Sequence, residues 1–422
     1  MNFSQKIKGG ALQYVLVVSV IIAIIILSFI SLIYLEHRLT LKHGFSKEVI
    51  ANTQMGFDYL KGNTIAYDTE TTLKISDNLK ATTKVLKKHW GVFDLAIVSS
   101  KIKNEDFQKI GLLGTQNAKR EALYLKDNNQ SLILVGKTKI TGDVSIPKQG
   151  VKSGNIAGTS YYGNTLIYGS KKTSTASLPK IKNLQFLKDF YKNYDDGSLK
   201  NFELENDLKL HQPFAKNTLV HENSTPINLA NITLSGQIII VSKTAIKVEA
   251  TAILEDVILI APTIDIEPNV RGNFQAIATK NITVHSNCLL RYPSALIVLE
   301  KETKNSRPNN QGKELHKITI QEQSELRGIV LFHSESKSSN YKSQVSIQER
   351  AIIRGEVYCS RNLEMQGTVF GSVFTNNFIV NQSGSIYINH LYNGVINSKE
   401  LASQYAGLQI NQETNGVAKW VD

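Results

Sequence analysis

The sequence predicts a mainly β protein, with an N-terminal transmembrane helix, a mixed α/β middle region and a C-terminal right-handed parallel β-helix of about 18 residues per coil. Two observations carry this prediction: an uncharged apolar run near the N-terminus, and apolar pairs that recur at a fixed interval in the C-terminal half. Hydrophobic residues make up 41% of the chain and charged residues 20%, which excludes wholesale disorder.

The apolar run occupies residues 11–35, and no charged residue lies between Lys8 and Glu36. As a helix it would extend about 37 Å, which is enough to cross a hydrocarbon core of ~30 Å. A cleaved secretory signal has a shorter apolar region of about 7–15 residues, followed by a small-residue cleavage site. We therefore expect a retained single-pass span.

Residues 1–10, MNFSQKIKGG, form a short basic leader that ends in two glycines directly before the apolar run. This arrangement resembles the class III leader of minor pilins and pseudopilins. The resemblance implies cleavage by a leader peptidase after Gly9 or Gly10. The chain departs from the family five positions into the mature helix, where Val15 or Tyr14 stands in place of the usual acidic residue. A plain signal anchor is the alternative.

The orientation of the span does not follow from charge alone. Lys6 and Lys8 precede the span, and Arg38, Lys42 and Lys47 follow it. The numbers of basic residues on the two sides are nearly equal, so the positive-inside rule does not decide the orientation. The resemblance to pilins favours an N-terminus inside the cell. It places the C-terminal bulk on the extracytoplasmic side of a bacterial inner membrane.

The segment 36–130 is predicted to be a mixed α/β stalk region. Its first part, residues 36–61, has a weak helical face that either continues the membrane helix or forms a separate helix. Residues 78–89 are expected to be helical, and the run VFDLAIV at 92–98 reads as a strand. The next segment, residues 131–216, is predicted to hold short strands, a polar linker and a connecting helix at 184–194.

The C-terminal half carries a repeat of apolar-x-apolar pairs. Their first members are Ile246, Ile264, Ile282, Ile318, Val345, Leu363 and Phe378, with successive intervals of 18, 18, 36, 27, 18 and 15 residues. The longer intervals coincide with polar insertions. A period near 18 with β-branched residues and turn glycines is typical of a parallel β-helix, predicted here at 217–397. Residues 398–422 are predicted to be a cap, with a short helix at 399–405.

The stretch 317–389 also resembles the bactofilin family. It includes KITIQEQSELRGIVLFH and QVSIQERAIIRGEVYCS, which share the habit of I-x-I, a polar turn, then G-x-V. The resemblance implies a β-helix that polymerises end to end without nucleotide, as a membrane-associated scaffold. The large preceding region, the two polar inserts and the C-terminal tail depart from that family.

An outward-facing ladder of polar residues is the candidate for chemistry. Residues i and i+2 of a strand share a face, so Asp265 and Glu267 should lie together, with Lys247 one coil before them and His285 one coil after. A carbohydrate-active enzyme would need such clustered carboxylates. Cross-strand ion pairs on a solvated face are the alternative. We expect no enzymatic activity, no cofactor and no metal, and Cys288 and Cys359 are expected to be small buried residues.

The chain has 48 Lys and Arg against 36 Asp and Glu, a net charge of +12. A candidate patch for an anionic ligand comprises Lys84, Lys87, Lys88, Lys171 and Lys172. Anionic polysaccharide is one expected partner, besides the membrane and protein partners or self-assembly through the β-helix. Nucleic acid is not expected, because no aromatic residues interleave with these lysines. The sequence as a whole favours a membrane-anchored structural or assembly protein of the cell envelope, pilin-like or, alternatively, bactofilin-like.

Overall fold

The computed structural model describes residues 10–75, 81–117, 119–190, 199–300, 316–335, 341–410 and 414–422. These residues are mainly β with one long apolar N-terminal helix, which confirms the fold class at that level. The chain divides into two compact units. The first holds the described residues of Met1–Tyr59, Glu70–Val85 and Val98–Gln108, and the second those of Leu60–Thr69, Leu86–Ile97 and Lys109–Asp422.

The N-terminal helix, α1, runs without a break over Gly10–Gly62. Of the two alternatives for residues 36–61, the structure therefore has the continuous helix. Side chains from Leu12 to Leu35 are exposed, whereas Val49 and Phe57 are buried. Within the described residues, this is the one helix long and apolar enough to cross a membrane.

The distal part of α1 packs against strands of the first unit. A Cβ placed on Gly56 would lie 2.6 Å from Cγ1 of Val98 and 3.3 Å from Cγ2 of Thr83, closer than side chains tolerate. Glycine therefore lets the helix backbone approach the sheet. Polar contacts add to this packing, because Ser46 Oγ donates to Glu105 Oε2 over 3.0 Å.

A five-stranded sheet follows the helix. Its strands are β1 (Thr71–Leu73), β2 (Ala81–Trp90), β3 (Phe93–Ile102), β4 (Glu105–Thr115) and the C-terminal strand Asn415–Val421, in that spatial order. The helix expected at 78–89 is wrong where the structure describes it, since residues 81–89 belong to β2. Thr83, Val85 and Lys87 alternate as its buried residues, and pairing with β1 stabilises the extended form.

The largest sheet is a closed one in which nearly all strands run parallel. Its strands before residue 230 are Leu123–Leu125, Lys139–Thr141, Val144–Ile146, Lys171–Thr173, Lys200–Asn201, Lys209–Gln212, Leu219–Asn223 and Ile227–Leu229. Those after residue 230 are Thr233–Gly236, Ile238–Ser242, Ala245–Val248, Ile253–Ile266, Arg271–Val284, Leu289–Glu300, Lys317–Ile320, Glu325–Ser334, Val345–Ile347, Ile352–Met365, Thr368–Gln382, Ser385–Ile388 and Val395–Asn397. Smaller elements are the strands Leu132–Val135, Val151–Ser153, Asn155–Ile156, Thr159–Ser160 and His390–Tyr392, the helix Leu184–Lys188 and the 3-10 turn Ser398–Glu400.

The residues of the sequence repeat are direct register partners in this sheet. Ile246 pairs with Ile264, Ile264 with Ile282, and Ile282 with Ile318 across the polar insertion. The series continues through Val345, Leu363 and Phe378. All seven side chains are buried in one apolar core, because alternate residues of each strand point inward.

The sheet extends beyond the predicted segment 217–397 on both sides. Val373 pairs with Leu123 and Val395 with Lys139, so residues 123–173 stack on the far end of that segment. At the other end, Lys209 pairs with Thr233. Strands near residues 123–141 therefore lie beside strands near residues 373–397, which follow them in sequence by about 250 residues.

One outward face of the closed sheet is apolar as well. Ile239, Ile258, Ile277 and Ile297 lie in a second buried cluster with residues such as Phe93. Strands buried on both faces read as continuous apolar runs, and QIIIV, VILIA and SALIV are such runs. Segments 90–97, 110–112, 178–190 and 408–410 contribute to this cluster.

The C-terminal segment makes hydrogen bonds to the closed sheet and adds a strand to the five-stranded sheet. The helix expected at 399–405 is wrong: the structure has the 3-10 turn Ser398–Glu400 and then an extended course. The Tyr405 hydroxyl donates to the Gly328 carbonyl over 3.0 Å, and the Leu408 amide donates to Glu356 over 2.6 Å. The strand Asn415–Val421 then pairs antiparallel with β4.

Both ends of the stack present charged edge strands. Lys171–Thr173 is exposed throughout, and among the described residues it pairs on one side only, with Val144–Ile146. At the opposite end lies Lys200–Asn201, which is also exposed. Lysine on an edge strand discourages pairing with another chain, because the partner strand would have to desolvate the charge.

Replacement of both Lys171 and Lys172 by threonine is expected to promote self-association, since it removes that barrier while keeping β propensity. We expect the weight-average mass of the full chain in detergent to rise about twofold or more, measured by light scattering after size exclusion. The matched control replaces Lys148 and Lys216, which are exposed away from the strands. An unchanged mass in the edge variant, or an equal rise in the control, would contradict this role.

Candidate functional site

A groove on the closed sheet is the candidate site. Its volume is about 710 Å³, and it crosses five neighbouring parallel strands. The lining residues are Pro226, Ile227, Asn228, Ala245, Ile246, Lys247, Thr263, Asp265, Asn281, Thr283, Lys317 and Thr319. The groove arises because outward positions of stacked strands carry polar side chains at the same register.

The outward ladder expected from the sequence lies along this groove. Lys247, Asp265 and Thr283 are register partners on successive strands. Lys247 Nζ lies 3.0 Å from Glu267 Oε1, and His285 Nε2 lies 2.9 Å from Asp265 Oδ1. The hydrogen bond to Glu267, followed by its charge, raises the pKa of Lys247. Each carboxylate therefore has a cationic or imidazole partner already.

The same residues define the geometry that a metal ion would need. One ligand atom each from Asp265, Glu267 and His285 lie within 4.8 Å of one another. The contacts of Glu267 with Lys247 and of Asp265 with His285 would have to be broken before a cation could bind. We therefore treat the cluster as an ion pair between Lys247 and Glu267 beside a hydrogen bond between His285 and Asp265.

Lys317 differs from the other charged residues of the groove. Among the described residues, no carboxylate oxygen lies within 4.0 Å of its ammonium group. Burial lowers the pKa of Lys317, and the more distant charge of Glu364 opposes this effect. Nothing in the local sequence distinguishes Lys317 from the other lysines, because its half-buried position depends on how the strands stack.

The five lysines of the predicted anionic-ligand patch have different surroundings. Lys84 lies on β2 and pairs with Glu70 at 2.6 Å. Lys87 is 7% exposed and lies 2.7 Å from Asp94. Lys88 is half-buried. Lys171 and Lys172 are exposed on an edge strand, and Lys172 Nζ lies 3.9 Å from Glu121.

The predicted cleavage site is only partly described. Gly9 lies outside the described residues, and Gly10 is the first residue of α1. A Cβ on Gly10 would contact nothing within 4 Å, so its surroundings are open. Cys288 and Cys359 are buried free thiols.

A buried charge cluster in the second unit was missed by sequence reasoning. Asp94 is fully buried, and its carboxylate accepts hydrogen bonds from the Tyr67 hydroxyl at 3.1 Å and from Gln409 Nε2 at 2.6 Å. Asn183 Nδ2 also donates to it, over 3.1 Å. Lys87 supplies the neutralising charge. The cluster joins segments distant in sequence, which is a structural role.

The electrostatics of this cluster favour the ionised carboxylate. Burial alone would raise the pKa of Asp94, but contacts with His89, Lys87 and Gln409 outweigh it and hold the pKa below its ordinary value. Nδ1 of His89 lies 3.5 Å from Asp94, which is long for a hydrogen bond, so we assign most of the effect to Lys87 and Gln409. The His89 ring is stacked between Tyr67 and Phe186, with centroids 3.7 Å away on each side.

Comparison with known proteins gives little further information. No protein-family model matches the chain, and no curated protein matches it. Among solved structures, it is similar to the competence-associated pilin ComZ from Thermus thermophilus, with 8% identity over 89% of this chain and 97% of that chain. The TM-score is 0.22, which does not establish a shared fold. Function must therefore be argued from the features of the chain itself.

Proposed function

We propose that this protein is a membrane-anchored, non-enzymatic assembly protein of the bacterial cell envelope, acting like a minor pilin in a pilus or secretion apparatus. The observation that supports this proposal is the continuous helix α1. Residues 12–35 of α1 are apolar and exposed on all sides, while its distal part packs on a sheet at Gly56. A helix that is apolar all round needs lipid or other protein around it. Lipid and the same helix of neighbouring subunits are both suitable coverings, and both fit an anchored assembly protein.

The closed sheet of the second unit fits a domain presented by that anchor. We infer that the parallel strands wind as a right-handed β-helix, because register partners such as Ile246 and Ile264 are 18 residues apart. Such a stack exposes long side-chain ladders, as Lys247, Asp265 and Thr283 show on successive strands. In this proposal the domain lies on the extracytoplasmic side of the inner membrane, and the apolar helix lies in the membrane.

The alternatives have weaker support. A bactofilin-like polymer needs free stack ends that accept another copy, but the edge strand at Lys171–Thr173 is charged and exposed. A carbohydrate-active enzyme needs carboxylates available for acid and nucleophile roles. Asp265 and Glu267 are each engaged by a neighbour on the same face.

The mass of the N-terminal peptide, isolated from the native host membrane, tests the proposal. We expect a peptide that starts at Gly10 or Ala11 and carries a methylated amine, because the pilin-like role requires processing after Gly9 or Gly10. Retention of the leader on changing both Gly9 and Gly10 to leucine is the matched control, because that change removes the residues that precede the cut. An intact Met1 in the native protein would overturn the pilin-like role and leave a signal anchor.

A further inference from the structure

The groove on the closed sheet runs across several strands. Its lining comes from five adjacent parallel strands, so four interstrand steps give a length of about 19 Å. Two rows of side chains run along it. One row is Asn228, Lys247, Asp265, Thr283 and Thr319, and the other is Ala245, Thr263, Asn281 and Lys317. A groove of this form accommodates an extended ligand of several units.

The charges of the groove favour an anion at one end. Lys247 is already paired with Glu267, but Lys317 has no carboxylate partner within 4.0 Å among the described residues. Lys317 is also half-buried, so part of its hydration is lost. Only the more distant charge of Glu364 is seen to offset this loss among the described residues, and an anionic ligand at this point would add a direct partner.

The remaining side chains select the type of ligand. Thr263, Thr283 and Thr319 present hydroxyls, which both donate and accept. Asn228 Nδ2 already donates to Glu249, and Asn281 Oδ1 already accepts from the Lys317 amide, so Asn228 offers its carbonyl oxygen and Asn281 its NH2 group. No aromatic ring is among the lining residues of the described chain, so nucleic-acid bases would lack a stacking platform.

A peptide fits less well. Peptides that add to a sheet pair with free backbone groups at an edge strand. Four of the five groove strands pair with neighbours on both sides, as Ile264 does with Ile246 and Ile282, whereas Ile227–Leu229, at the end away from Lys317, is paired on one side among the described residues. Along those four strands only side chains are therefore available, and their hydroxyls and amides match a polyhydroxylated chain.

We propose that this groove binds an acidic oligosaccharide, with a sugar carboxylate on Lys317 and sugar hydroxyls on the threonine and asparagine rows. The site is distinct from the surface lysine patch considered in the sequence analysis. The proposal does not depend on a pilin-like role, since a processed or an unprocessed chain carries the same groove.

Titration calorimetry on the full chain in non-ionic detergent tests it, with hexasaccharides of galacturonate, mannuronate and hyaluronan, and maltohexaose as the neutral control. We expect saturable binding of at least one acidic hexasaccharide at about 50 mM salt. Maltohexaose should bind about tenfold more weakly or worse, because it lacks the carboxylate for Lys317.

Variants locate the site. K317Q should weaken binding by about tenfold or more, K317R should retain it, and K148Q, which changes an exposed lysine in a turn, should leave it unchanged. If K317Q does not fold, T283V offers an independent loss of a sugar contact on an outward position. Absence of binding for all three acidic hexasaccharides, or equal binding by wild type and K317Q, would overturn the proposal.

Discussion

Replacement of Asp94 by alanine is expected to lower the free energy of unfolding by about 3–5 kcal/mol. The variant would leave the Lys87 ammonium buried without its partner. In the wild type this ammonium lies 2.7 Å from the Asp94 carboxylate. It would also remove the acceptor of the Tyr67 hydroxyl and of the Gln409 amide. Breaking a buried pair on one side costs much more than removing a surface pair, because a desolvated charge remains.

Urea denaturation followed by tryptophan fluorescence measures this effect. Trp90 lies on β2, the strand that carries Lys87, and reports on the region directly. The control is Asp106→Ala, an exposed aspartate on β4, for which a change within about 0.5 kcal/mol is expected. A loss below about 1 kcal/mol for Asp94→Ala would show that the cluster contributes little to stability.

The same cluster predicts a direction for the dependence of stability on pH. The pKa of Asp94 is lower in the folded protein than in the unfolded chain. Its contribution is therefore complete above the unfolded-state pKa, near 4, and is lost as the pH falls through the folded-state value. Asp94→Asn should lose this part of the acid sensitivity, so the stabilities of wild type and variant should converge at low pH.

Replacement of Gly355 by alanine is expected to cost about 4 kcal/mol or more, or to prevent folding. Gly355 has a φ of 150° and stacks in register on Gly328 and under Gly371, which have φ values of 143° and 149°. A Cβ on Gly355 would lie closer than 3.0 Å to the Gly328 carbonyl oxygen and to the Tyr405 hydroxyl. Backbone on the neighbouring strand cannot move aside without breaking the ladder, so both strain and overlap oppose the substitution.

Gly384 provides the matched control. It also has a positive φ, 73°, but a Cβ there would meet nothing within 4 Å. Gly384→Ala should therefore cost only the left-handed backbone penalty of about 1–2 kcal/mol. Thermal and urea unfolding of the two variants separates the cost of steric overlap from the cost of backbone strain. Equal losses of unfolding free energy in Gly355→Ala and Gly384→Ala would show that the contact with the Gly328 carbonyl is unimportant.

The glycine column illustrates what a sequence can and cannot reveal. The repeated Arg-Gly-x-Val of residues 327–330 and 354–357 is visible in the sequence, as are the looser echoes at Gly371 and Gly384. Their different roles are not. Gly371 belongs to the stacked column and Gly384 to a hairpin turn, because only the register decides which backbone lies beside each glycine.

The strand β2 is a case in which the local sequence predicted the wrong structure. Its local sequence, ATTKVLKKHW, has three lysines and reads as a solvated helix face. In the fold, Lys87 points inward to Asp94, a residue in the next strand. The buried charge of Lys87 is tolerated because Asp94 neutralises it. No local sequence pattern predicts such a pairing.

By itself, the sequence determined the long apolar helix, the mainly β class, the inward series from Ile246 to Phe378 and the shared face of Lys247 and Asp265. These features repeat at short intervals, and alternation or an uninterrupted apolar run is a property of neighbouring residues. The tertiary structure alone decided that Leu123 stacks beside Val373, that the C-terminal strand returns to β4, and that Lys317 is half-buried in the groove. Such pairings join residues distant in sequence, and many short apolar strands could satisfy the same local pattern. The choice among them follows from which surfaces are buried together when the whole chain folds.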